Sequence, residues 1–110
     1  MWLTLRYPNG SQVELLESIG ADGFLHRFLE RHGEGAHHMT FIVGDLRQAV
    51  ERARAAGLRV MDEDYRDPRW QEAFISPSSA FGTIVQLAQT SMNEAERERH
   101  WSVADMPVGD

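Results

Sequence analysis

The chain predicts an α+β fold in which a β-hairpin and a linking helix precede a β-α-β-β-β run. Three observations carry that reading. Asn9-Gly10 stands between two strand-like runs, apolar residues repeat at helical spacing over 22–32, and a period-two run at 38–43 ends at a helix cap.

The hairpin joins Leu3–Tyr7 to Gln12–Leu16 through Pro8-Asn9-Gly10, because Asn and Gly both tolerate positive φ. Over 22–32, Phe24, Leu25, Phe28 and Leu29 fall on one helical face, and Gly33 stops the helix. Gly33-Glu34-Gly35 is a flexible link to the strand His38–Val43. Asp45 is an N-cap and Gln48 its capping-box partner. Leu46, Ala49, Val50, Ala53 and Leu58 form the apolar side of the second helix, and Gly57 closes it. A strand restarts at Leu58–Met61, and the charged, proline-containing stretch 62–69 reads as a loop. Strands follow at Gln71–Ser76 and Thr83–Gln89, joined by the 77–82 loop. From Asn93 a charged helix and a polar tail are expected, with Glu and Arg on a wet face.

At 110 residues the chain supports one compact domain able to bury a core without staples. It has no cysteine, which excludes disulfides, thiolate metal sites and thiol nucleophiles. Seventeen acidic against eleven basic residues give a net charge of −6, which repels a phosphate backbone. Nucleic acid is therefore not an expected partner, although local groups can still hold a small anion such as an acyl-CoA. No apolar run reaches the ~20 residues that span a bilayer, and the start lacks the apolar core of a signal peptide. A cytoplasmic protein with no membrane partner is expected.

Alternation places the candidate chemistry. His38, Thr40 and Ile42 share one face of their strand, while Met39, Phe41 and Val43 share the other and are expected to pack on the helix. On the strand 83–89, Ile84, Gln86 and Ala88 line the same side as His38. On 12–16, Gln12, Glu14 and Leu16 share a face. Imidazole, carboxylate and amide oxygen suit Zn²⁺, Mn²⁺, Co²⁺ or Ni²⁺. Alternation alone leaves two readings of His38 open, a metal ligand or a satisfied structural histidine. His37 reads as its supporting neighbour or a surface residue. His26 and His32 read as solvated, and His100 belongs to the tail. Trp70 and Phe74 read as core or pocket wall. No serine sits in a nucleophile elbow, and there is no glycine-rich phosphate loop.

Val13–Glu17, the run Phe28–Val43 with its Gly-Glu-Gly-Ala-His-His segment, and Gly57–Asp64 resemble the methylmalonyl-CoA epimerase branch of the vicinal oxygen chelate (glyoxalase/bleomycin-resistance) superfamily. Phe74-Ile-Ser-Pro-Ser and Gly82-Thr-Ile-Val-Gln-Leu resemble the end of the same pattern, so the likeness covers about residues 1–89. The resemblance implies βαβββ modules whose mixed, curved sheet forms a cup around a divalent metal, Zn²⁺, Co²⁺, Mn²⁺, Ni²⁺ or Mg²⁺. It implies Glu14 and His38 as metal ligands. Gln86 stands where that family usually has a glutamate that both binds metal and moves a proton. Gln12, Thr40, Trp70 and Phe74 then line the pocket. Residues 1–90 form the glyoxalase-like domain with an incomplete first module, and 91–110 form the charged, partly helical tail.

Two departures from the pattern carry expectations of their own. The first module lacks its opening strand and helix, so a homodimer is expected, in one version strand-exchanged, in which a second copy completes the sheet. An amide at position 86 can ligate a metal but cannot act as a general base near neutral pH. The Ser76-Pro-Ser-Ser loop also lacks the lysine common there in the epimerases. Two functions follow. One is a metal-dependent isomerase or lyase that acts on a small acyl or oxo substrate by enolate-type chemistry. The other is a non-catalytic, bleomycin-resistance-like protein that binds a small molecule between aromatic walls such as Trp2, Trp70, Phe74 and Phe81.

Overall fold

A computed structural model of the chain describes residues 2–20 and 23–100. The expected helix start at Asp22, the Trp2 and His100 side chains and the polar tail 101–110 lie outside the described residues. The chain divides into two compact units, Met1–Gly35 and Ala36–Asp110.

In the first unit, β1 (Trp2–Arg6) and β2 (Gln12–Leu16) pair antiparallel as the expected hairpin. Of the pair only Gly10 takes positive φ, at 89°; Asn9 serves the turn through Oδ1, which accepts from the Ser11 N–H at 3.0 Å. Helix α1 (Phe24–His32) follows, and the Gly33 N–H closes it on the Leu29 carbonyl.

The second unit opens with β3 (His38–Ile42), then α2 (Leu46–Ala55), β4 (Val60–Asp67), β5 (Trp70–Ile75), a single 3-10 turn at Pro77–Ser79, β6 (Ile84–Thr90) and α3 (Glu94–His100). The four strands form one mixed sheet in the order β3-β6-β5-β4, with β3 parallel to β6 and the remaining pairs antiparallel. Together the units give the predicted α+β architecture, with six strands in two sheets and three helices among the described residues.

Helix α2 starts and stops as its sequence dictates. Asp45 Oδ1 accepts from the Gln48 N–H at 3.1 Å. At the other end Gly57, at φ 84°, lets the Leu58 N–H reach the Ala53 carbonyl. The helix buries Leu46, Val50 and Ala53, and Leu46 and Val50 pack on Ala73 with Val43, Val60, Tyr65 and Leu87 around them. Gln89 on β6 also accepts from the Leu46 N–H at 2.8 Å, which ties the first turn of the helix to the sheet.

Two expectations are corrected. The charged stretch 62–69 is strand and not loop as far as Asp67, and the chain turns only at Pro68. β4 is an edge strand, so polar residues stay wet while its backbone pairs with β5. Its register shifts between Met61 and Asp64 and again before Asp67, and Asp62 takes φ 51°. Such bulges blur the alternation that marks a strand in sequence. Met39 and Phe41, expected to pack on the helix, remain about half exposed at 51% and 48%. Helix α2 lies over the central strands β5 and β6 and over β4, whereas β3 is the opposite edge. Only Val43 of that set joins the core.

Candidate functional site

The sheet of the second unit has a face turned away from α2, and pairing register fixes what stands on it. His38 lies beside Ile84, Thr40 beside Gln86 and Ile42 beside Ala88 across the β3–β6 ladder. Phe74 lies beside Gln86 and Glu72 beside Ala88 across β5–β6. Partners in a ladder share a face. His38, Thr40, Gln86, Phe74, Glu72 and Trp70 therefore share one surface.

His38 is half-buried at the start of β3. Its Nδ1 is 3.0 Å from His37 Nδ1, with the two rings edge-on at 87°. Burial, and secondarily the neighbouring His37 charge, push its pKa down to about 4. The imidazole is thus neutral near pH 7, the form a metal ligand requires. His37, expected as the supporting neighbour, does contact the His38 ring.

Gln86 is 1% exposed and polar at both ends of its amide. Its Oε1 accepts from Thr40 Oγ1 at 2.7 Å, and its Nε2 donates to Glu72 Oε1 at 3.4 Å. Trp70 Nε1 donates to the same Glu72 oxygen at 2.6 Å. A continuous polar line therefore crosses β3, β6 and β5 through Thr40, Gln86, Glu72 and Trp70.

Trp70 and Phe74 sit on this same face, each inside a small apolar cluster. Trp70 packs with Ala88 and Met92, and Phe74 with Ile84 and Met61. Phe81 is fully exposed in the loop before β6, at φ 56°. Glu14 and Gln12 are exposed residues of β2 in the first unit, so the group that the structure brings together is the one within the second. Among the described residues no three His, Cys, Asp or Glu side chains cluster as a metal-binding group.

Glu72 was not expected. A glutamate inside a strand reads as a solvated position, and it is the pairing of β5 with β6 that puts it on the site face with Trp70 and Phe74. That Gln86 would sit diagonally from it depends on the β5–β6 register, which the sequence does not encode locally.

Comparison with known proteins bears on the family and the fold. The profile of the Glyoxalase/Bleomycin resistance protein/Dioxygenase superfamily matches residues 1–74. An uncharacterized protein, YqjC, from Bacillus subtilis (strain 168) is 32% identical over 83 residues, which are 71% of this chain and 57% of that protein. The chain thus spans little more than half the length of that curated relative. Among solved structures, a methylmalonyl-CoA epimerase from Streptomyces coelicolor in complex with 2-nitronate-propionyl-CoA superposes with TM-score 0.56 at 27% identity, covering 83% of this chain and 69% of that one. A hypothetical protein from Bacillus halodurans C-125 superposes with TM-score 0.61 at 23% identity, covering 82% and 66%, and so shares the fold.

Proposed function

This chain belongs to the glyoxalase/bleomycin resistance protein/dioxygenase superfamily, and we propose that within it the chain is a divalent-metal-dependent protein acting on a small acyl or oxo substrate, in the manner of its epimerase relatives. The observation that carries this reading is the pairing of a neutral, half-buried His38 with a buried, hydrogen-bonded Gln86 on one sheet face. Imidazole nitrogen and amide oxygen fit Zn²⁺, Co²⁺, Mn²⁺ or Ni²⁺ better than a soft ion.

His38 and Gln86 would hold the ion, with water or substrate oxygens filling its other positions. Bound there, a divalent ion supplies Lewis acidity to a carbonyl oxygen of the substrate. Thr40 hydrogen-bonds Gln86, and the Trp70 and Phe74 clusters keep that side of the sheet dry. We place the working form as a homodimer, for which light scattering on the purified chain should return about twice the 12.5 kDa of one copy. A monomer at all concentrations is the contrary result.

The decisive experiment titrates Mn²⁺ or Co²⁺ into chelator-treated protein by calorimetry. It then follows exchange of the α-proton of methylmalonyl-CoA in D2O by NMR. Saturable binding near one ion per chain with metal-dependent exchange is expected. Absence of metal binding refutes this reading. Metal or ligand binding without exchange favours the second function, a non-catalytic small-molecule binder. That alternative has one specific support, since the amide of Gln86 cannot itself take a proton from carbon.

A further inference from the structure

We propose that Glu72 is a positioning residue for this site. Its carboxylate holds the Gln86 amide with the carbonyl oxygen, and not the NH2 group, presented towards β3 and His38. The inference rests on the metal-binding reading of His38 and Gln86 and adds a residue to it.

The two ends of a glutamine amide have nearly the same shape, so packing does not choose between them. Hydrogen-bond partners must. Gln86 has two, at opposite ends: Thr40 Oγ1 at 2.7 Å from Oε1 and Glu72 Oε1 at 3.4 Å from Nε2. A threonine hydroxyl rotates and can donate or accept, so it accommodates either amide orientation. An ionised carboxylate only accepts. The wrong orientation would set the amide oxygen against the Glu72 oxygen at a position 1% exposed, where water cannot intervene. Glu72 therefore decides the orientation. A carbonyl oxygen has two lone pairs, and Thr40 engages one of them, which leaves the geometry compatible with a ligand on the other.

Glu72 is placed to do this because its own position is fixed by a neutral group. Trp70 Nε1 donates to Oε1 at 2.6 Å. Register puts Asp64 and Asp67 of β4 on the same face, opposite Glu72 and Trp70. Those two carboxylates are clasped by Arg66 and Arg69, respectively. Among the described residues the Glu72 carboxylate accepts from the indole N–H and from the Gln86 amide.

The test uses the full chain with Mn²⁺ or Co²⁺ alone as the probe. Glu72→Gln preserves size but can satisfy either amide orientation, so metal affinity should weaken about 10–100-fold, the usual effect of losing a partner that orients a ligand. Without metal, the Gln86 side-chain NH2 resonances should shift on the same substitution. In a Gln86→Glu background the carboxylate at position 86 has no wrong orientation, so Glu72→Gln should no longer weaken metal binding relative to Gln86→Glu alone. Loss of a residue needed only for folding would weaken binding in both backgrounds. Equal metal affinity in Glu72→Gln and wild type overturns the role of Glu72 alone. So does an equal weakening by Glu72→Gln in the Gln86→Glu background. Wild-type protein that binds neither ion overturns the metal reading itself, and this inference with it.

Discussion

Replacing Leu46 by alanine should lower the stability of the second unit by about 2–5 kcal/mol. Leu46 is fully buried, at the first turn of α2, in contact with the cluster of Val50 and Ala73. Truncation removes apolar atoms from water-free surroundings and leaves a hole that the helix cannot close. The helix cannot shift inward because Asp45 caps it and Gln89 holds the Leu46 N–H. A folded unit of this size commonly has only about 5–10 kcal/mol to lose, so the variant should sit near the edge of folding at 37 °C. Ile42→Ala is the matched control, since Ile42 is 49% exposed on the edge strand and should cost far less. Urea denaturation of the pair measures the contrast. Equal losses would mean that α2 is not the lid of the core.

The same contrast explains how much of this molecule was legible in its residues. Local chemistry was readable wherever one residue type had one physical use. Asn9-Gly10 could only serve a turn, and Asp45, Gln48 and Gly57 framed α2 because a helix end must satisfy its own N–H and C=O groups. Alternation also put His38, Thr40 and Gln86 on one face, as the ladder register now does. What stayed hidden depends on neighbours far away in sequence. β4 looked like a loop because an edge strand needs no apolar face, and its ion pairs run from Asp64 to Arg66 and from Asp67 to Arg69 along the strand. Met39 and Phe41 looked like core because alternation reports a face and cannot say where a helix ends over it. Glu72 was missed for the same reason. Its importance lies in a diagonal contact to Gln86 that exists only once β5 and β6 are in register.

Acid should destabilise the fold through His38, and the sign follows from the direction of its shift. Burial and the His37 charge depress its folded pKa from the ordinary 6.5 to about 4. Above pH 6.5 neither folded nor unfolded chain carries a proton there, so the imidazole adds no pH dependence. Between pH 6.5 and about 4 the unfolded chain binds a proton that the folded chain refuses, so stability falls as pH falls. Below about 4 both states are protonated and this contribution is flat. The loss accumulated across the window is on the order of 2–3 kcal/mol, allowing for solvent screening at the exposed edge of the ring. The carboxylate clasped by Arg66 does not confound the measurement. Asp64 is held down to about 2 and titrates below the window. Urea midpoints of the wild type between pH 7 and 4.5 should therefore decline, while His38→Gln, which cannot take a proton, should stay much flatter over the same range. Parallel declines in the two proteins would show that His38 is not kept neutral by its surroundings. That result would also remove the physical reason for expecting a deprotonated nitrogen ligand on β3.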